Sequence, residues 1–356
     1  KLGIAVHAAA PGIDIKLREE LLRRNVSVHN IPMQRAGMNP FRDLHALWAL
    51  YCLMRQTRPD VVLVYTIKPV IYGILAGWFA KVPHRIAMIE GLGFVFTSSD
   101  TGHSVKRGLL RTGVRAMYKA ALSKAHHVIF LNPDDQSEFV DQGLVAVART
   151  YLLGGIGVDL KNWAPASIVS RPVTFLLMAR LLREKGVLEF VEAARLIKRS
   201  YPLARFILLG DIDPNPGCLP REAAHAWVEE GILEWPGHVP ARPWLAQASV
   251  YVLPSYREGV PMSTQEAMAM GPPVITTDVP GCRETVIDGV NGFLIPVRDV
   301  QALADAMKKF LENPALIGQM GRESRRLAEE RFDVNEVNRR IVQLILNEAP
   351  KQKEMA

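Results

Sequence analysis

Residues 258–266 read EGVPMSTQE, with a glutamate at each end and seven residues between them. An apolar segment, 249–254, precedes the stretch and predicts a strand, and the second half of the stretch opens a helix that ends at Gly271. Glu258 therefore falls in the loop after a strand, and Glu266 falls in the next helix. Open α/β sheets bind ligands at the carboxyl ends of their strands, so we expect both carboxylates to face a ligand site. Carboxylate oxygens accept hydrogen bonds, which suits a ligand rich in hydroxyl groups.

A second motif lies upstream, where residues 179–186 read ARLLREKG between a strand pattern and a helix pattern. The first N–H groups of a helix are unpaired and carry a partial positive charge, so they bind anions readily. Arg180 adds a guanidinium fork and Lys185 adds a point charge, a combination that favours a diphosphate ligand. The alternative is ordinary solvated charge, and Arg183 is predicted to lie on the surface.

Strand and helix patterns alternate along the chain, which predicts parallel sheets covered by helices on both faces. A first series of strands ends near residue 153, and a second series begins with the apolar residues 173–178. The sequence thus predicts an α/β fold with two Rossmann-like domains. We assign residues 1–158 to the first domain, 159–334 to the second, and 335–356 to a terminal helix and tail.

Length and composition agree with two soluble domains. The chain has 356 residues and 49% hydrophobic content, enough for two buried cores. Its three cysteines show no metal-binding or redox spacing, which indicates reduced thiols in a cytoplasmic protein. Residues 61–80 are as long as a membrane span, but Lys68-Pro69 interrupts them. Strand, turn and helix fit this segment better, and no signal peptide is expected.

The positive charge of the chain lies in its first half. Residues 1–150 hold 19 Lys and Arg against 11 Asp and Glu, whereas residues 151–356 hold 24 against 25. Residues 103–124 contain six basic residues, no acidic ones, and apolar residues at helical spacing. Such a basic amphipathic helix is typical of a surface that binds anionic lipid, and a solvated helix face is the alternative. Nucleic acid is not expected as a partner, because binding motifs and aromatic platforms are absent.

The flanks of the two glutamates strengthen their interpretation. They read YREGVP at 256–261, EAMAMGPPVI at 266–275, GCRE at 281–284 and GVNGFL at 289–294. With these flanks the chain resembles the Glu-x7-Glu family of retaining nucleotide-sugar glycosyltransferases that includes sucrose synthase. The resemblance covers roughly residues 3–345 and implies the GT-B fold, in which two Rossmann-like domains face each other across a cleft. A bare pair of glutamates at this spacing would also occur on an ordinary protein surface.

The resemblance implies roles for individual residues. Arg180 and Lys185 would hold the donor diphosphate and stabilise the leaving nucleoside diphosphate without a metal ion or other cofactor. Glu266 would bind the ribose hydroxyls, and Glu258 would position the donor sugar without forming a covalent intermediate. Backbone groups would complete the site at Gly259, Val260 and Met262, beside the sugar and phosphate, and at Val239, beside the nucleobase.

Two places in the first half depart from the broad family pattern. Glu90 stands where many members carry a histidine, and it would either contact the sugar or cap a turn. Residues 65–69 stand at a second position where histidines are frequent in the family. With 37–40 and 72–73, this segment resembles a subgroup that extends lipid-diphosphate-linked saccharides in bacterial surface polysaccharide and glycoprotein assembly. Lys68 would then meet the acceptor diphosphate, with a solvated lysine as the alternative.

The start of the sequence also differs from the family. Members open with a strand and a glycine loop that faces the donor diphosphate, whereas residues 3–8 resemble the second strand of the family. We expect this first strand and loop to be missing, which would leave neighbouring strands unpaired.

Three function classes remain open. The first is a glycosyltransferase that moves a sugar, with UDP-N-acetylhexosamine favoured as donor, to a lipid-linked saccharide acceptor. This enzyme would act in the cytoplasm, on the inner face of the plasma membrane. The second is an enzyme like UDP-N-acetylglucosamine 2-epimerase, which shares the architecture and needs no acceptor. The third is a non-catalytic partner subunit that binds nucleotide sugar poorly.

Overall fold

The computed structural model describes residues 3–34, 39–92, 105–166, 171–213, 215 and 217–348. Side chains are described throughout these ranges except at residues 105–111 and 347–348.

The first domain contains two parallel sheets. β1 pairs with β2, and β3, β4, β5 and β6 form a four-stranded sheet in that order. The strands are β1 (Val6–Ala10), β2 (Val26–Asn30), β3 (Val61–Tyr65), β4 (His84–Ile89), β5 (His127–Phe130) and β6 (Thr150–Leu152). Among the described strands of the first domain, β1, β2, β3 and β6 each have a single neighbour, and Val6 of β1 is exposed. The expected absence of a family strand before β1 stays a prediction.

The second domain contains one six-stranded parallel sheet in the order β12-β11-β10-β7-β8-β9. Its strands are β7 (Thr174–Met178), β8 (Arg205–Leu209), β9 (Glu234–Gly237), β10 (Val250–Leu253), β11 (Val274–Thr277) and β12 (Gly292–Ile295). The four central strands are apolar and almost fully buried, as expected for a sheet with helices on both faces. The sheet order reverses between β7 and β10, where doubly wound sheets place their ligand crevice.

Helices connect the strands and cover the sheets. Those of the first domain are α1 (Ile15–Arg23), α2 (Pro40–Thr57), α3 (Ile67–Phe79), α4 (Val105–Leu122) and α5 (Pro133–Asp141). Those after β7 are α6 (Val187–Ser200), α7 (Arg221–Glu229), α8 (Arg242–Leu245), α9 (Met262–Met270), α10 (Val300–Glu312), α11 (Ala315–Arg331) and α12 (Val334–Glu348). None of the described helices combines the length and the apolar character that a membrane crossing requires.

The last helix, α12, contacts the first domain. Arg340 of α12 donates a hydrogen bond to the carbonyl of Leu152 at 3.1 Å, and Ile341 packs against a buried cluster that includes Ile86 of β4. The same cluster contains the core of the second sheet, so one continuous apolar core joins the two domains. The predicted domain boundary near residue 158 lies between β6 and β7, and its position stays a prediction.

Two predictions of local structure are confirmed in the first domain. Residues 61–80 form β3 and α3 instead of a membrane span, and the basic segment forms α4. Val114 and Tyr118 of α4 are buried, whereas Lys119 is exposed, so this half of the helix is amphipathic. The side chains of Lys106, Arg107 and Arg111 lie outside the described residues, and lipid binding by α4 stays a prediction.

Candidate active site

Loops from the carboxyl ends of the two large sheets meet at Gly259. Gly259 follows β10 of the second domain, and Glu90-Gly91 follows β4 of the first. A Cβ atom added to Gly259 would lie 1.8 Å from the carbonyl oxygen of Glu90, so only glycine permits this approach. From the loop after β5 of the first domain, the Asn132 amide donates a hydrogen bond to the carbonyl of Gly259 at 2.6 Å. The predicted cleft therefore has direct backbone contact between its two sides, beside Glu258.

Glu258 is held by its own domain. Its Oε1 atom accepts a hydrogen bond from Lys185 Nζ at 2.5 Å and lies 2.7 Å from Ser255 Oγ. The two charged side chains are 13% and 19% exposed, so their ion pair is only partly screened by water. The structure thus brings together one predicted acid and one predicted cation in a half-buried site.

Lys185 owes its position to the glycine that follows it. Gly186 has φ +70°, a left-handed conformation that favours glycine, and it caps the start of α6. A Cβ atom there would lie 2.1 Å from the carbonyl oxygen of Pro254, in the loop after β10. The Glu258 loop therefore packs directly on the start of α6, whose first N–H groups have no partner within the helix.

Arg180 lies in the loop after β7 and pairs with a carboxylate from the loop after the neighbouring strand, β8. Its NH1 atom donates to Asp213 Oδ2 at 2.7 Å, and its side chain is 45% exposed. A guanidinium carries five N–H donors, so this contact leaves donors for a ligand. Asp213 follows β8 and was not predicted as a site residue, because a lone aspartate in a loop gives no distinctive sequence signal.

Glu266 lies in α9, and burial raises the pKa of its carboxyl to about 7. The same helix contacts Tyr251 of β10, whose hydroxyl is 2.7 Å from Ser263 Oγ. Burial raises the pKa of Tyr251, and the charges of Glu258 and Glu266 raise it further. Both predicted glutamates are therefore close enough to the buried Tyr251 hydroxyl for their charges to raise its pKa. Tyr251 was not singled out from the sequence, because it reads as one more apolar strand residue.

The loop between Glu258 and α9 presents free backbone donors. The N–H groups of Gly259, Val260 and Met262 donate to no acceptor in the described part of the chain. Val260 is buried and Met262 is 39% exposed, so the row of amides runs from the domain contact toward solvent. These three unpaired N–H groups lie within four residues and can donate hydrogen bonds to an anionic or hydroxyl-rich ligand.

The remaining predicted residues lie at other points of the two facing edges. Val239 is half-buried after β9, the strand beside β8. Glu90 is half-buried in the first domain, and burial raises the pKa of its carboxyl. Lys68, at the start of α3, pairs with Asp43 at 2.7 Å and is 17% exposed, so it is not a freely solvated lysine. Its predicted contact with an acceptor diphosphate stays a prediction.

A separate cavity of about 460 Å³ lies along α5. It is lined by Pro133, Asp134, Ser137, Glu138, Asp141 and Gln142. Three carboxylates and no cation line it, which disfavours a diphosphate. In the described ranges, no group of three His, Cys, Asp or Glu side chains is placed to hold a metal ion.

The fold and the facing edges define the class of protein. Two parallel α/β domains meet across a cleft in the GT-B arrangement. The crystal structure of Anabaena Alr3699/HepE in complex with UDP-glucose has this fold, with a TM-score of 0.73 and 18% identity over 95% of this chain and 91% of that one. Sucrose-phosphate synthase from Thermosynechococcus elongatus has a TM-score of 0.75 and 21% identity over 91% of this chain and 84% of that one.

Sequence comparison identifies the family. Residues 172–313 match the family described as glycosyl transferases group 1, and residues 1–153 match the glycosyl transferase 4-like domain. A relative from Campylobacter jejuni, N,N'-diacetylbacillosaminyl-diphospho-undecaprenol alpha-1,3-N-acetylgalactosaminyltransferase, is 30% identical over 300 residues, which are 79% of this chain and 76% of that protein. The chain therefore belongs to the group 1 glycosyltransferases, and the predicted family and fold are confirmed.

Proposed function

We propose that the protein is a retaining glycosyltransferase that moves a hexosyl or N-acetylhexosaminyl group from a UDP-sugar to a lipid-diphosphate-linked saccharide. The half-buried pair of Lys185 and Glu258, at the start of α6 and against the first domain, is the observation that carries this proposal. The name of the Campylobacter relative supports the donor and acceptor classes, since it describes transfer of N-acetylgalactosamine to a diphospho-undecaprenol-linked sugar.

The proposed chemistry depends on the leaving group. Breaking the bond from the anomeric carbon to the diphosphate oxygen builds negative charge on the diphosphate and positive charge on the sugar ring. Lys185 keeps two N–H donors besides the one on Glu258, and Arg180 keeps several besides the one on Asp213. Together with the first N–H groups of α6, they would stabilise the departing diphosphate without a metal ion.

The two predicted glutamates would contact the donor sugar and the ribose. Glu258 would position the donor sugar and stabilise the charge on its ring, since Lys185 and Ser255 hold its carboxylate in place. The free N–H groups of Gly259, Val260 and Met262 would face the donor, and Glu266 would accept hydrogen bonds from the ribose.

The first domain would supply two further contacts. Glu90 would contact the sugar, and Lys68 would contact the diphosphate of the acceptor. Val239 would lie at the nucleobase, and the basic face of α4 would hold the protein on an anionic membrane.

Transfer assays test this proposal directly. Purified protein is incubated with UDP-glucose, UDP-galactose, UDP-N-acetylglucosamine or UDP-N-acetylgalactosamine and a short-chain polyprenyl-diphosphate-linked saccharide, with and without EDTA. We expect transfer from at least one donor, an α-linkage by NMR coupling constants, and no loss of rate in EDTA. A β-linked product would exclude retention, and conversion of UDP-N-acetylglucosamine to its 2-epimer without acceptor would indicate an epimerase instead.

The raised pKa of Glu266 predicts a pH dependence of donor binding. Ribose hydroxyls donate to the ionised carboxylate, so the site must lose a proton before it binds a donor below pH 7. We expect Kd for a UDP-sugar to be constant above about pH 7 and to rise by up to about tenfold per pH unit below it. Isothermal titration calorimetry between pH 5.5 and 8.5 measures this, and a UDP-sugar is suitable because its diphosphate does not titrate in that range.

The matched control is Glu266→Gln. It binds more weakly than wild type at pH 8 but should show a flat profile, because the amide does not ionise. A slope that persists in Glu266→Gln would assign the titration to another group, such as Glu90.

A further inference from the structure

The loop that carries Glu258 is fastened to both domains. Glu258 itself turns toward Lys185 in the second domain, whereas the residues on either side of it bind the first domain. Arg257 binds Asp135 and Glu138, and Gly259 binds Asn132. Along the chain, Arg257 therefore contacts the first domain, Glu258 contacts the second, and Gly259 contacts the first again.

Arg257 forms the charged contacts between this loop and the first domain, which are the charged half of the attachment. Its NH2 atom lies 2.6 Å from Asp135 Oδ1 and 2.7 Å from Glu138 Oε2. The Asp135 side chain is fully buried, and burial raises the pKa of its carboxyl while Arg257 opposes that shift. An unpaired buried carboxylate is costly, so the first domain gains most from Arg257 when the two domains are in contact.

Asn132 forms the uncharged contact between the first domain and this loop. Its Nδ2 atom donates to the Gly259 carbonyl at 2.6 Å, and its Oδ1 atom caps α5 by accepting from the Asp135 N–H at 2.8 Å. The cap fixes the side chain on the first domain, so the amide reaches Gly259 from a rigid base. Both contacts therefore come from the cap and first two turns of α5 and converge on the neighbours of Glu258.

The outer side of the loop is also supported. The Glu258 N–H donates to the Pro280 carbonyl at 3.1 Å, in the loop after β11. Arg283 from the same region binds both carboxylate oxygens of Asp134 at 3.1 Å. Since Asp134 and Asp135 are adjacent in α5, the loops after β10 and β11 are tied to one helix of the first domain.

We propose that Asn132, Asp135 and Arg257 form an interdomain clamp that positions Glu258 for transfer when the two domains close. They are positioning residues, because they act on the donor through the loop and not by direct contact. The inference rests on the proposed function for its kinetic consequence. The clamp couples domain contact to carboxylate orientation, whereas nucleotide binding depends on second-domain residues alone.

Arg257→Ala tests the charged half. We expect kcat to fall between about tenfold and about a hundredfold, as for a misplacement of about 1 Å in a catalytic site. Kd for UDP, measured by calorimetry, should stay within about twofold of wild type, and Arg257→Lys should recover part of the lost kcat. The matched control is Arg195→Ala, because Arg195 also bridges two carboxylates, Glu192 and Glu230, but entirely within the second domain. It should leave both kcat and Kd unchanged.

Asn132→Ser separates the clamp from the helix cap. Serine still caps α5, but it lacks the amide that donates to the Gly259 carbonyl and, at 3.0 Å, to Asp135 Oδ2. We expect kcat to fall about tenfold. The thermal unfolding temperature should fall only by the amount that one lost hydrogen bond to Asp135 explains. Combining it with Arg257→Ala should cost less than the product of the two separate effects, because both variants release the same loop.

Hydrogen–deuterium exchange gives a readout that does not require activity. In ligand-free protein, amides of residues 255–260 and of α5 should exchange faster in Arg257→Ala than in wild type or Arg195→Ala. Unchanged exchange together with kcat within twofold of wild type would overturn the clamp, as would a loss of UDP affinity by the same factor as kcat. If wild-type protein transfers no sugar, the proposed function fails, and exchange still decides whether the clamp exists.

Discussion

Replacing Lys185 with alanine is expected to lower kcat by about 10²–10³-fold, the usual loss when one donor to a developing anion is removed. Lys185 is the cation that the structure joins to Glu258, at the start of α6. In the proposed reaction its charge is needed most when the diphosphate departs, because the negative charge there is then largest. Steady-state kinetics with a UDP-sugar and a lipid-linked acceptor measure the effect.

The distribution of the loss between kcat and KM distinguishes this role from simple binding. An interaction made mainly in the transition state lowers kcat and kcat/KM by similar factors, whereas a binding contact raises KM alone. Lys198→Ala, at the far end of α6, is the matched control and should leave kcat and KM unchanged. A Lys185→Ala enzyme that keeps kcat within about fivefold of wild type would remove Lys185 from the chemistry and leave it as a structural partner of Glu258.

Local pattern predicted the elements that carry this site. β10 and α9 lie where the apolar segment and the residues after Pro261 indicated, so the placement of Glu258 in a loop and Glu266 in a helix is confirmed. Arg180 and Lys185 likewise fall between β7 and α6, as predicted. These features depend on periodicity and on glycines within about ten residues, which a single sequence displays directly.

Long-range pairing was not predictable in the same way. The partner of Arg257 lies 122 residues away, and that of Gly259 lies 127 residues away. Nothing in the pattern of residues 132–138 distinguishes them from an ordinary helix start with a capping asparagine and acidic first turn. Likewise, Asp43 reads as a polar helix residue, although it is buried and paired with Lys68. Such contacts depend on how the two domains meet, which no local pattern contains.

The geometry of Gly259 gives the other large expected effect. Gly259→Ala should lower kcat/KM by about a hundredfold or more, since displacing catalytic groups by about 1 Å already costs about that much. The added Cβ would lie 1.8 Å from the Glu90 carbonyl, so the backbones of the two domains must separate. Separation would also pull the Gly259 carbonyl away from Asn132 and release the loop that carries Glu258.

The control for this substitution is Gly113→Ala in α4, where an added Cβ meets no atom within 4 Å. That change should leave activity intact and, in a helix, stabilise the protein by up to about 1 kcal/mol. For Gly259→Ala, Kd for UDP should rise much less than kcat/KM falls, because alanine keeps the backbone N–H and the proposed contacts of Arg180, Lys185 and Glu266 lie outside this loop. If Gly259→Ala keeps full activity, sugar transfer must take place in a more open arrangement of the cleft, in which Glu90 does not contact Gly259. If it loses UDP binding as well, the carbonyl of Glu90 supports the nucleotide site itself and not only the closure of the cleft.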